Sequence, residues 1–142
     1  MVTSDANVVL YAHNKGAEQH SAAKIWLEGQ LSGSEIFFFN WQTISAFLRI
    51  STNHRSFPNP FTFNEATRIV QEWLDLPNVE LLVPTARHWD IFKELIVDGQ
   101  TTGPLIMDAH LAALAIEHGA TLATTDRDFS RFPRLKTINP LV

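Results

Sequence analysis

The sequence predicts an α/β protein, a three-layer α/β/α sandwich built on a mainly parallel sheet of four or five strands. Short apolar segments alternate along the chain with amphipathic segments of roughly 10–15 residues, which is the pattern of βαβ units. Right-handed crossovers between parallel strands place helices on both faces of such a sheet. Because no repeat, low-complexity tract or linker interrupts the alternation, we expect residues 1–142 to form a single domain.

The N-terminal part of the chain predicts two strands and two helices. Met1–Ser4 is a short apolar strand, and the apolar segment Ala6–Asn14 that follows it is a helix. Glu18–Gln30 repeats its apolar residues at helical spacing, which predicts a second helix. Ile36–Phe39 is rich in phenylalanine, a residue type enriched in strands, and is predicted to be the second strand.

In the middle of the chain, polar residues mark where helices begin. Asn40 is a favourable N-cap for the predicted helix Trp41–Thr52. Thr62 is followed at the third position by a glutamate, a capping box that opens the predicted helix Phe63–Leu76. Val79–Val83 comes after a proline–asparagine turn and is predicted to be the third strand.

The C-terminal part predicts two more helices and the remaining strands. Thr85 is predicted to cap the helix Ala86–Val97. The helix Leu105–His118 is rich in alanine and leucine, and Gly119 fits the left-handed conformation that ends many helices. Two segments of strand character follow, on either side of a turn: Thr121–Thr125 and Lys136–Ile138.

The bulk composition excludes several classes of protein. A hydrophobic fraction of 45% with 18% charged residues excludes a disordered chain. The absence of cysteine excludes a disulfide framework and any thiolate metal site. No apolar run approaches the roughly 20 residues that span a bilayer, and no basic start precedes an apolar run as in a secretory signal. We therefore expect a cytoplasmic protein without membrane association.

Four aspartates stand where the chain leaves a predicted strand or enters a helix. Asp5 follows the first strand, Asp108 lies in the first turn of the alanine-rich helix, Asp126 follows the fourth strand, and Asp128 comes two residues later. Because the carboxyl ends of parallel strands meet at one edge of the sheet, Asp5, Asp108 and Asp126 are predicted to converge there. Asp128 is a weaker candidate for the same site. Clustered carboxylates suit a hard divalent cation, which predicts metal-dependent phosphodiester chemistry. An ordinary helix-capping or dipole-stabilising role for each aspartate stays open.

The formal net charge of −4 argues against a general nucleic-acid binder. The four aspartates account for this excess, since the other acidic residues equal the 11 basic residues in number. A surface whose acidic site is neutralised by cations is therefore near neutral, which is compatible with a nuclease.

Several polar residues near these aspartates are predicted to support the site. Asn7 is placed to orient the Asp5 carboxylate, and Thr125 and Thr124 are placed to hydrogen-bond the neighbouring carboxylates. Arg49 and Arg127 are candidates for holding phosphates, although a solvated surface position is the more common role of a single arginine. The histidines show no metal-binding spacing, which argues against a zinc site, and His110 is placed beside the site or in the core.

Four segments, taken in their order and spacing, resemble the motifs of PIN-domain ribonucleases, specifically VapC-type toxins of bacterial toxin–antitoxin pairs. The segments are Asp5–Ala12, Phe47–Ile50, Asp108–Ala115 and Thr125–Phe129. The resemblance covers essentially the whole chain. It implies a PIN-like α/β/α fold and RNA cleavage dependent on Mg²⁺ or Mn²⁺ at Asp5, Asp108 and Asp126. It also implies a homodimer and neutralisation by a VapB-type antitoxin.

One position departs from the pattern of that family. The glutamate that family members usually carry on the third helix is replaced by Ala46. The neighbouring Ser45 cannot supply a negative charge, although it is a candidate for holding a metal-bound water. Two functions therefore stay open: a metal-dependent endoribonuclease, or a catalytically weakened module that binds RNA or an antitoxin. A receiver-like or phosphatase-like domain ranks last, because Lys136 is the sole lysine near the last strands and comes too late.

The aromatic residues Phe57 and Phe61 flank a proline-rich loop. If exposed, they would suit a dimer interface or an antitoxin groove. Local packing of the loop onto its own helices is the favoured alternative.

Overall fold

The computed structural model describes residues 1–142 and has five strands and six α-helices. The strands are β1 (Val2–Ser4), β2 (Phe37–Asn40), β3 (Val79–Leu82), β4 (Thr121–Ala123) and β5 (Lys136–Ile138). The α-helices are α1 (Ala6–His13), α2 (His20–Ser32), α3 (Trp41–Ser51), α4 (Phe63–Asp75), α5 (His88–Asp98) and α6 (Leu105–His118). A short 3₁₀ helix, Arg127–Arg131, lies between β4 and β5. None of the helices has both the length and the hydropathy needed to cross a bilayer.

All five strands are parallel, and their order in the sheet is β3-β2-β1-β4-β5. Successive residues of a strand point to opposite faces, so Phe37 and Phe39 join a core with α1–α4 while Phe38 packs against the core of α5 and α6. Helices therefore cover both faces, which confirms the predicted three-layer α/β/α architecture and its parallel sheet.

The order of the strands creates one crevice at the carboxyl edge of the sheet. From β1 the chain continues on one side to β2 and β3, whereas β4 pairs with the other side of β1. In open α/β sheets, ligands bind where the order reverses in this way. The residues that follow β1 and β4 are therefore the ones that face this crevice.

Buried polar side chains hold β1 against the junction between β2 and α3. Asn40 ends β2 and caps α3, its Oδ1 accepting the Thr43 N–H at 2.8 Å. Its Nδ2 donates to Thr3 Oγ1 at 3.0 Å, and the Thr43 hydroxyl donates to the Ser4 carbonyl at 2.7 Å. These contacts fix the end of β1, directly before Asp5, relative to the start of α3.

The predicted helix ends agree with the structure at most positions. Thr62 and Glu65 form the expected capping box at the start of α4, with distances of 3.2 and 3.0 Å. Gly119 ends α6 with φ of 67°, a conformation in which a side chain would be strained. The loop residue Phe57 is 4% exposed and joins the core, as the favoured local packing requires, and Phe61 packs on it.

The predicted cap of α5 is wrong. The helix begins at His88, two residues later than expected, and the Thr85 hydroxyl accepts the N–H of Arg87 in a local turn. The Thr85 N–H donates to the Glu117 carboxylate at 2.6 Å, so a contact from a distant helix decides the conformation of this segment. The local preference of residue types for helix N-caps does not predict such a long-range contact.

Candidate active site

A pocket of about 520 Å³ opens at the crevice of the sheet. The three aspartates predicted to converge, Asp5, Asp108 and Asp126, all line it. They reach it from different elements, because Asp5 follows β1, Asp108 lies in the first turn of α6 and Asp126 follows β4. The structure thus brings together side chains that are far apart in the sequence.

Asp5 is a buried carboxylate, 5% exposed, with a hydrogen bond to each oxygen. Its Oδ1 accepts the Val8 N–H at 3.3 Å, which caps α1, and its Oδ2 accepts the Thr124 hydroxyl. Burial raises the pKa of Asp5 to about 6, and the negative charge of Asp126 acts in the same direction. The hydrogen bonds from Thr124 and Val8 lower the pKa against these effects. Asp5 is therefore both a helix cap and a wall of the pocket.

Asp108 is half-buried and lies among other negative charges. Burial raises the pKa of its carboxyl group to about 6, followed by repulsion from Asp126, Asp128 and Asp5, while Arg131 partly offsets the increase. Repulsion of this kind disappears when a cation binds between the carboxylates. The raised pKa is thus a sign of a site whose charges are not balanced by the protein itself.

The tightest group of carboxylates consists of Asp108, Asp126 and Asp128. One oxygen of each lies within 4.8 Å of the others. Asp126 caps the 3₁₀ helix, its Oδ1 accepting the Asp128 N–H at 2.9 Å, and this turn holds the two side chains next to each other. An all-oxygen donor set with excess negative charge fits a hard cation such as Mg²⁺ or Mn²⁺. Asp128, the weaker candidate from the sequence, belongs to this group, and the buried Asp5 does not.

The residues predicted to support the aspartates are divided between two regions. Asn7, Ser45 and Arg49 line the main pocket. Arg127 and Thr125 instead line a smaller pocket of about 210 Å³ on the other side of Asp126.

Of the side chains predicted to hold the Asp5 carboxylate, Thr124 does so and Asn7 does not. The Asn7 side chain makes no hydrogen bond to the Asp5 carboxylate, which is held by the Val8 N–H and the Thr124 hydroxyl. Thr124 also accepts the Asp126 N–H at 3.0 Å, so this buried threonine connects two of the aspartates. Of the two adjacent threonines predicted for this role, Thr124 makes the contact and Thr125 does not.

The position that departs from the resemblance faces the pocket. Ala46 on α3 lines it together with Ser45 and Arg49. The α3 wall therefore contributes a methyl group, a hydroxyl and a guanidinium group, and no carboxylate.

Comparisons with known proteins identify the family. The family model of the PIN domain matches residues 2–135. The chain belongs to the PIN domain family. The family predicted from the sequence motifs is thereby confirmed.

Relatives of this PIN domain match along its whole length. Ribonuclease VapC37 of Mycobacterium tuberculosis (strain ATCC 25618 / H37Rv) is 41% identical over 136 residues, which are 96% of this chain and 94% of that protein. Ribonuclease VapC33 of Mycobacterium tuberculosis (strain CDC 1551 / Oshkosh) is 37% identical over 141 residues, 99% of each chain.

Solved structures share the fold of this PIN domain. The crystal structure of VapBC2 from Rickettsia felis, bound to a DNA fragment from their promoter, contains a chain that matches with a TM-score of 0.69 at 17% identity, covering 97% of this chain and 98% of that one. The structure of VapBC-1 from nontypeable Haemophilus influenzae gives 0.70 at 16% identity, with complete coverage of both chains.

This PIN domain also contains a histidine network that the sequence interpretation missed. His110 lines the main pocket, and its Nδ1 lies 2.8 Å from the Nε2 of His88. The Nδ1 of His88 lies 2.5 Å from the Glu117 carboxylate. Burial lowers the pKa of His110, and the neighbouring His88 contributes to the decrease. A sequence signal existed, because His110 and Glu117 are seven residues apart and hence on one face of α6.

Proposed function

We propose that this PIN domain is a metal-dependent endoribonuclease, the toxin of a toxin–antitoxin pair, which cleaves RNA phosphodiester bonds with Mg²⁺ or Mn²⁺. The observation that carries the proposal is the group of three carboxylates within 4.8 Å of one another, two of which, Asp108 and Asp126, line the pocket at the strand-order reversal. Its relatives VapC37 and VapC33 bear the name ribonuclease and are 41% and 37% identical to it over almost the whole chain. The chain acts as one PIN domain.

The side chains of the pocket have distinct roles in this proposal. Asp108, Asp126 and Asp128 hold the cation, and Asp5 contributes a further negative charge from the wall of the pocket. A divalent cation in such a site lowers the pKa of water and neutralises charge on the scissile phosphate. The hydroxyl group of Thr124 holds Asp5 and Asp126 at fixed positions relative to each other. Arg49, exposed on the pocket wall, offers a planar fork of donors to a neighbouring phosphate.

A VapB-type antitoxin is the proposed protein partner, and a homodimer the proposed assembly, in the cytoplasm. Trp41 and Met107 line the pocket and are 51% and 56% exposed, although both are large and apolar. Exposed apolar side chains beside the carboxylates of the pocket suit an antitoxin segment that covers the site and excludes RNA.

Cleavage of a labelled RNA tests the nuclease function. We expect products with Mn²⁺ or Mg²⁺ and none with EDTA. Asp108→Asn and Asp126→Asn should reduce the rate by at least about 100-fold, because each removes a charged oxygen that holds the cation. Asp98→Asn is a matched control, since Asp98 is exposed at the end of α5 and does not line the pocket. Full activity of both pocket variants would contradict the proposed site.

A second function follows from the alanine at position 46. Because Ala46 lines the pocket, the α3 wall lacks a carboxylate, which favours a weakened module that binds RNA or an antitoxin without cutting. Wild-type protein that binds RNA but leaves it intact with Mg²⁺, Mn²⁺ and other divalent cations would support this second function over the first.

A further inference from the structure

Glu117 is a buried acid near the C-terminal end of α6. Its side chain has no exposed surface, and both oxygens are engaged, Oε1 by the Thr85 N–H at 2.6 Å and Oε2 by His88 Nδ1 at 2.5 Å. A buried carboxylate is costly unless it is hydrogen-bonded in this way. These contacts fix the orientation of the His88 ring on α5.

The fixed ring of His88 in turn orients His110. The His88 Nε2 is 2.8 Å from the His110 Nδ1, and Phe92 stacks on the His110 ring with a centroid distance of 5.0 Å and an interplanar angle of 15°. The ring of His110 is therefore held through one nitrogen and one face. A chain of contacts runs from the buried end of α6 to the wall of the pocket.

Within the contacts that link Glu117, His88 and His110, the Nε2 of His110 is the one ring nitrogen that has no hydrogen-bond partner in the protein. His110 lines the pocket with Asp5, Asp108 and Asp126, and its Nε2 is not among the buried unpaired polar atoms, so solvent reaches it. His110 is also outside the group of carboxylates that fits a cation. A fixed hydrogen-bonding atom beside the proposed cation site is placed to contact substrate.

The chemistry of this atom favours a hydroxyl group as its partner. Whichever nitrogen carries the proton in the His88–His110 hydrogen bond, Nδ1 is engaged and Nε2 either donates or accepts one hydrogen bond. A ribose 2′-hydroxyl both donates and accepts, and it is the group that distinguishes RNA from DNA. Phosphate oxygens, which only accept, match the donor fork of Arg49 on the opposite wall better.

We propose that His110 contacts a ribose 2′-hydroxyl of the substrate and makes the pocket prefer RNA over DNA, with His88 and Glu117 as positioning residues. The inference deepens the proposed nuclease function, since it takes RNA as the substrate of the same pocket.

Binding of short, sequence-matched RNA and DNA oligonucleotides in EDTA tests the proposal without cleavage. We expect fluorescence anisotropy to show tighter binding of RNA by the wild type. His110→Phe keeps an aromatic ring against Phe92 but has no nitrogen, so it should lose about fivefold in RNA affinity and nothing in DNA affinity. His110→Gln, whose amide both donates and accepts, should retain the preference. His54→Phe, in the exposed loop after α3, is the matched control.

Two outcomes would overturn the proposal: equal binding of RNA and DNA by the wild type, or an unchanged preference in His110→Phe. If His110→Phe does not fold, ¹⁵N NMR of the wild type takes its place. RNA must then shift the His110 Nε2 resonance and DNA must leave it in place, and a resonance that responds equally to both overturns the proposal.

Glu117→Gln tests the positioning part. Its amide oxygen can accept from Thr85 or from His88 but not from both as the carboxylate does, so the RNA-over-DNA ratio should fall while calorimetric Mn²⁺ affinity stays unchanged. Lower stability with an unchanged ratio would assign Glu117 a structural role and overturn the positioning role.

The experiments separate this inference from the proposed function. A wild type that prefers RNA through His110 but never cleaves it refutes the nuclease proposal alone. A wild type that cleaves RNA while His110→Phe keeps the full preference refutes the inference alone.

Discussion

The side chain at position 46 determines how much negative charge surrounds the proposed cation. Ala46 lines the pocket, and the acids that face it come from β1, α6 and the turn after β4. Cation affinity at oxygen sites depends on the number of charged ligands and on their rigidity. The pocket therefore has space for a further carboxylate on α3.

Ala46→Glu should bind Mn²⁺ about five- to tenfold more tightly than the wild type, because it adds a charged oxygen ligand. Isothermal titration calorimetry with Mn²⁺ measures the change. Ala22→Glu makes the same substitution at an exposed position of α2 away from the pocket, and should leave the affinity unchanged. Equal affinities for all three proteins would mean that a side chain at position 46 does not reach the cation.

At the scale of single residues, the sequence predicted the positions of the aspartates better than the contacts of the side chains around them. Asp5 and Asp126 follow from where strands end and Asp108 from where a helix begins, which are properties of the local sequence combined with a topological rule. The choice of Thr124 over Thr125 depends on which of two adjacent side chains points towards β1, and one residue of register decides this. The contact of His88 with His110 depends on how α5 packs on α6, which no short-range pattern encodes.

At the scale of elements, the junction of β2 and α3 connects fold stability to the pocket. Asn40 has no exposed surface, and its side chain bonds both the start of α3 and the end of β1. Because Asp5 comes directly after β1, any loosening of this junction moves a wall of the pocket.

Asn40→Ala should lower the free energy of unfolding by about 2–3 kcal/mol, since it removes a helix cap and leaves a buried donor and hydroxyl unpaired. It should also weaken Mn²⁺ binding. Thr62→Ala removes an exposed cap of α4 that does not line the pocket, and should cost about 1 kcal/mol without affecting Mn²⁺. Urea unfolding and calorimetry measure both quantities. Equal Mn²⁺ affinities in the two variants would argue against coupling of the junction to the site.

The elements themselves were predictable where a local signal decided them. The capping box at Thr62, the cap at Asn40 and the glycine at position 119 are short-range signals, and the helices there agree with the structure. The start of α5 differed from the predicted start because Thr85 contacts Glu117, which is more than 30 residues away in the sequence. Long-range hydrogen bonds override local capping preference at such positions.

At the scale of the whole molecule, burial of the Asp5 carboxylate, together with repulsion from Asp126, opposes folding of the metal-free protein when Asp5 is ionised. Asp5 is buried and its pKa is raised from 3.8 to about 6, so between these values the folded protein holds a proton that the unfolded chain releases. The contribution of Asp5 to the stability of the metal-free protein is therefore greatest at low pH. It is lost as the pH rises from about 4 to about 6.

Asp5→Asn should therefore be more stable than the wild type at pH 7 without metal, by on the order of 2 kcal/mol. The difference should shrink towards pH 4, where the wild-type carboxyl group is protonated. Mn²⁺ at 100 times the wild-type dissociation constant should reduce the difference, because it stabilises the folded wild type by about 2.7 kcal/mol and the variant, which lacks the negative charge of Asp5, by less. Urea unfolding at several pH values, with and without Mn²⁺, measures these differences.

His13 also makes the stability depend on pH, because burial lowers its pKa. Its contribution to the free energy of unfolding falls as the pH drops through 6.5, the normal pKa of histidine. His13 is present in both proteins, so this effect cancels in their comparison. A wild type that is more stable than Asp5→Asn at pH 7 in EDTA would show that hydrogen bonds from Thr124 and Val8 outweigh the cost of burying the charge.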